Sequence, residues 1–80
     1  MMQGGYDMTI EEKISGLAWN KKLEILRRIN NWTQEEAADK CNATQKMYWS
    51  WEKARSYPRK TSRRSIARAY RISEEDIFSN

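Results

Sequence analysis

The sequence predicts an all-α fold, a compact body of five or six short helices, and three observations carry that expectation. The 80 residues include only 3 glycines and one proline, Pro58, too few turn-formers for a sandwich or a barrel. Serine or threonine stands three places before an acid at Thr9/Glu12, Thr33/Glu36 and Ser73/Asp76, the spacing with which a hydroxyl and a carboxylate satisfy free amides at a helix start. Apolar side chains then recur at intervals of three and four, and no segment reads as a strand. A chain this short makes one domain with a modest core, stabilised by economical helix packing or by association.

Residues 1–8 read as a flexible lead, without the basic and then apolar segments of a signal peptide. A first short helix follows the Thr9–Glu12 box, with Ile10, Ile14 and Leu17 at helical spacing until Gly16 weakens it. A second carries Trp19, Leu23, Leu26 and Ile29 on one face and stops near Asn30-Asn31, residues that tolerate a left-handed turn. The Thr33–Glu36 box opens a third, whose apolar stripe of Ala37, Ala38 and Cys41 is small enough to let another helix approach closely. Asn42 suits the left-handed turn, Ala43 packs beneath it, and Thr44 caps the next helix, Gln45 to about Lys53. That helix sets Tyr48 and Trp51 on one side and leaves Gln45, Lys46, Trp49 and Ser50 to point elsewhere. Ser56–Lys60 is a loop around Pro58; Thr61 or Ser62 caps a helix bearing Ile66, Ala67, Ala69 and Tyr70. A last turn from Ser73 ends at Ile77 and Phe78.

Composition narrows the chemistry. Cys41 is the one cysteine and there is no histidine, which excludes an internal disulfide framework and a structural zinc site within one chain. Without histidine the commonest general base is also missing, and no nucleophile–base pair or metal cluster can be assembled. The chain therefore reads as a non-enzyme without cofactor or metal. No apolar run approaches the roughly 18–20 residues of a membrane span, and a reducing, cytoplasmic setting is expected. The net charge of +4 is unevenly spread: residues 40–71 hold ten Lys or Arg and one acid, Glu52, while the remainder carries five bases and ten acids. Such asymmetry is the electrostatic footprint of a phosphate-binding face.

The run from Thr33-Gln34-Glu35-Glu36 through Ala38, the Thr44-Gln45 helix start and the closing Trp51-Glu52 resembles the Cro and phage-repressor (XRE-type, lambda-repressor-like) helix-turn-helix family. Leu26-Arg27 falls where that family has its Leu-Arg pair, and residues 67–78 look like its closing helix and tail. The resemblance covers residues 19–78 and implies a lambda-repressor-like domain, here residues 9–80. The family usually has glycine where this chain has Asn42 and Ala54, so the helix from Gln45 is expected to run longer. Ala37, Arg63 and Arg64 replace larger aliphatics, and Trp32, Tyr48, Trp51 and Tyr70 are expected to fill the volume.

In a helix-turn-helix the second helix lies in the major groove, its early residues at base edges. The resemblance implies that Gln45, Lys46 and Ser50 read bases, and the amide of Gln45 suits a bidentate contact with adenine. Phosphate contacts are expected from Thr33 and Gln34 at the start of the first motif helix, and from Lys53, Arg55 and Arg59 flanking the second. Arg27 is expected to pair with Glu52. Arg63, Arg64 and Arg68 suit a solvated face as well as a DNA contact. Trp49 stands apart from Trp51, either half-exposed or an interface anchor, and Ile77, Phe78 and Trp49 are the candidates for a small dimer seam. Cys41 on its apolar stripe reads as an inert packing residue. These expectations describe a regulator, a repressor of a phage or mobile element that binds operator DNA as a homodimer and is open to an antirepressor or other regulatory protein. The competing reading is a protein-interaction module, an antitoxin or adaptor that keeps the fold; Trp49 speaks for it and the cationic segment against it.

Overall fold

The computed structural model describes residues 8–79; the lead up to Asp7 and the terminal Asn80 lie outside them. Six helices and no strand occur among the described residues: α1 (Ile10–Ile14), α2 (Trp19–Ile29), α3 (Gln34–Lys40), α4 (Gln45–Glu52), α5 (Lys60–Tyr70) and α6 (Glu74–Phe78). No helix among them is long and apolar enough to cross a membrane.

Capping chemistry sets most of the starts. The Thr9 hydroxyl accepts from the Glu12 amide at 3.1 Å and the Glu12 carboxylate accepts from the Thr9 amide at 2.8 Å, a reciprocal box that Thr33 and Glu36 repeat at 3.0 and 2.8 Å. Thr44 caps α4 and Ser73 caps α6 through single hydroxyl bonds to the Met47 and Asp76 amides. Gly16, at φ +84, turns the chain sharply after α1. Leu17 therefore leaves the apolar stripe of that helix and is exposed.

Two boundaries differ from the expectation. α4 does not run on past Glu52: Ala54 takes the left-handed conformation, φ 58, and ends the helix as glycine would. α5 starts at Lys60 with Arg59 in the cap position and no side-chain cap, so Thr61 and Ser62 lie inside the first turn. Pro58 disfavours helical backbone at the residue before it, and the helix begins two residues beyond. There the Arg63 guanidinium donates to the Pro58 carbonyl at 2.8 Å and ties loop to helix.

The α3–α4 corner lies at the centre of the fold. Ala37, Ala38 and Cys41 are buried, and their small side chains let α4 pack close over α3. Asn42 makes the turn at φ 58, and the Ala43 amide donates to the Ala38 carbonyl at 2.9 Å. Aromatic rings fill the volume that the lean aliphatic content leaves. Tyr48 and Tyr70 are buried with their hydroxyls 2.5 Å apart, and the Tyr48 hydroxyl also donates to the Leu23 carbonyl at 3.3 Å. Trp32 stacks on Tyr70 with ring centroids 5.4 Å apart. Trp51 is buried, while Leu23, Leu26 and Ile66 supply the aliphatic contacts.

α6 closes the body on α2 and α5. Ile77 is fully buried in this core, so it is removed from the candidate dimer seam: its side chain is consumed by the chain's own packing. Phe78 is half-buried and packs with Trp19 and Tyr57. Lys22 is buried too, its ammonium donating to the Asp76 carbonyl at 2.8 Å and linking α2 to α6.

Candidate nucleic-acid interface

The character of α4 follows from what it buries. Tyr48, Trp51 and Glu52 face the body, a pattern that points Gln45, Lys46 and Trp49 outward at helical spacing. Gln45 and Lys46 are exposed and Ser50 is half-buried. Among the described residues the Gln45 amide makes no hydrogen bond, so both its donor and its acceptor are available to a partner. Gln45, Lys46, Trp49 and Gln34 line one shallow groove between the start of α3 and the outer face of α4.

Glu52 fixes the far end of α4. Its carboxylate accepts from Arg27 Nε at 2.7 Å and from an Arg27 terminal nitrogen at 3.3 Å, the expected pair in forked geometry. Arg27 also donates to the Trp32 carbonyl at 3.1 Å, and Asn20 donates to the Glu52 carbonyl at 3.1 Å. The hydrogen bond to Glu52 raises the Arg27 pKa above its ordinary value, against the lowering by burial. The only acid of α4 is thereby turned inward and neutralised.

The two residues expected to hold phosphate at the start of α3 also have partners within the fold. Thr33 gives its hydroxyl to the cap. Gln34 donates its amide to the Glu52 carboxylate at 3.1 Å, bracing α3 against the end of α4. Glu35 and Glu36 occupy the first turn of α3, where they satisfy the positive end of the helix dipole that an anion would otherwise seek. Gln34 thus borders the groove as a strut.

The cationic flank is exposed. Lys53, Arg55 and Arg59 all project from the segment after α4. The Arg55 guanidinium lies 5.0 Å over the Trp49 ring, a cation–π contact that holds both side chains. Lys21 and Arg28 on α2 join this flank, lining a cleft with Lys53 and Gln34. Sequence reasoning missed both because the charge count centred on residues 40–71; they share one carboxylate, Glu24, at 3.7 and 2.9 Å. Arg63 and Arg64 are drawn away instead, toward Glu74 at 3.9 Å each, and Arg63 also lies over the Tyr57 ring.

Trp49, left between two readings by the sequence, is 36% exposed on the outer side of α4, and Met47 is 43% exposed nearby. Cys41 is buried and its thiol is pushed up to about 12 by desolvation. A neutral, enclosed thiol is a packing group without nucleophilic reactivity. No family model, curated protein or solved structure matches the chain.

Proposed function

We propose that the chain is a sequence-specific DNA-binding regulator of the Cro and phage-repressor helix-turn-helix kind, reading the major groove with α4. The observation that carries this reading is the exposed, unbonded amide of Gln45 at the first position of a helix whose opposite side is locked into the core. A carboxamide so held matches the donor–acceptor pair of adenine. Lys46 beside it serves a guanine edge or a phosphate, and the half-buried Ser50 allows close approach. Lys53, Arg55 and Arg59 grip the backbone on one flank, with Lys21 and Arg28 extending the grip; Gln34 braces α3 against α4 and Thr33 caps α3, and the Thr33 hydroxyl proton and the second Gln34 amide proton serve phosphate at the start of α3. Binding as a homodimer to a palindromic operator doubles the contacts of so small a domain, and repression by occupancy is the simplest outcome.

The test is selection of bound duplexes from a random library with the full chain, repeated with Gln45→Ala. One position in each half-site relaxes in the variant, by roughly 1–3 kcal/mol of discrimination, while overall folding is unchanged. Enrichment of no sequence over the library, with affinity governed by salt alone, would overturn the reading. The exposed Trp49 favours a second reading, a protein-interaction module such as an antitoxin or adaptor. Partners captured after nuclease treatment, together with indifference to duplex sequence, would establish it.

A further inference from the structure

We propose that Trp49 reads the C5-methyl group of a thymine next to the base pair contacted by Gln45, an inference that rests on the major-groove reading of α4. Trp49 follows Gln45 by four residues, so the two side chains share one flank of the helix. They also line the same groove. A large ring left 36% exposed on the outer side of α4 retains apolar surface that a partner can cover. Arg55 sits 5.0 Å over the ring, which limits the ring's rotation.

Charge selects the occupant. The outer face of α4 presents Lys46, the adjoining segment presents Lys53 and Arg55, and the one acid of the helix is buried against Arg27. The cations of this face draw a polyanion to it. Within a duplex the apolar feature displayed on a major-groove base edge is the thymine methyl group, and it is what an indole beside Gln45 would cover. Trp49 then distinguishes thymine from cytosine by apolar contact, where Gln45 distinguishes adenine by hydrogen bonding.

The test uses the duplex selected above, with each thymine replaced in turn by deoxyuridine, which removes only the methyl group. The intact chain loses about fourfold in affinity at one thymine per half-site, the share of one buried methyl. Trp49→Ala binds thymine and uracil duplexes equally at that position. Arg55→Ala binds every duplex more weakly yet keeps the preference for thymine, separating the ring's own contact from its support of the guanidinium. Circular dichroism melts check that both variants fold. Indifference of the intact chain to every such replacement, while Gln45→Ala still relaxes one position, overturns the role of Trp49 and leaves the DNA reading standing. A methyl preference that survives in Trp49→Ala likewise overturns it. Failure to select any duplex removes both.

Discussion

Four helices end on a residue other than glycine in the left-handed conformation: Asn31, Asn42, Ala54 and Arg71, each at φ 57 or 58. Asparagine tolerates this region, but a residue whose Cβ crowds the following carbonyl pays for it with roughly 1–2 kcal/mol. Ala54 is the purest instance, since its methyl group offers no compensating bond. Ala54→Gly is therefore expected to stabilise the fold by about 1 kcal/mol, read as a higher urea midpoint at unchanged slope. A midpoint unmoved or lowered would mean that the turn is not strained in solution. The same change at Asn31 gains less.

At the level of elements, Glu52 joins α2, α3 and α4 through Arg27, Gln34 and its own carbonyl. Removing its carboxylate leaves the part-buried Arg27 guanidinium without its counter-charge, a loss of about 1–3 kcal/mol. Glu52→Ala should accordingly be far more damaging than Glu52→Gln, which keeps an acceptor; chemical denaturation of the two compares them directly, and equal losses would show that the pair is idle. These packing links divide what the sequence discloses from what it hides. Helix starts at Thr9, Thr33, Thr44 and Ser73 were legible because a cap is made by residues three apart. The end of α4 near Lys53 was legible too, but the left-handed turn at Ala54 that makes it was not, because an alanine leaves no local mark. The start of α5 was misread because Thr61 and Ser62 are good caps, whereas Pro58 acts earlier in the chain. Gln45 and Lys46 were readable as outward residues from the placement of Tyr48 and Trp51. The inward turn of Gln34 and the arrival of Lys21 and Arg28 at the cationic flank depend on how whole helices meet, which spacing does not encode.

For the molecule as a whole, three buried acids of weak character share one core. Burial raises Cys41 from 9.0 to about 12, and it raises Tyr48 and Tyr70 above their ordinary 10.0, with their mutual proximity adding to the rise of Tyr48. Each group holds its proton more tightly folded than unfolded. Their stabilising contribution is whole below about pH 9 and is lost as pH climbs through the unfolded values toward the folded ones. Stability should fall above pH 9, each titrating group adding about 1.4 kcal/mol per pH unit; urea midpoints level from pH 8 to 11 would refute this. The corner that brings α3 under α4 has a separate consequence. A helix of eight residues does not persist alone in water, yet α4 is clamped through Tyr48, Trp51 and Glu52. Its backbone is consequently preorganised: a partner docks on a helix already formed, and only the exposed side chains remain to be ordered.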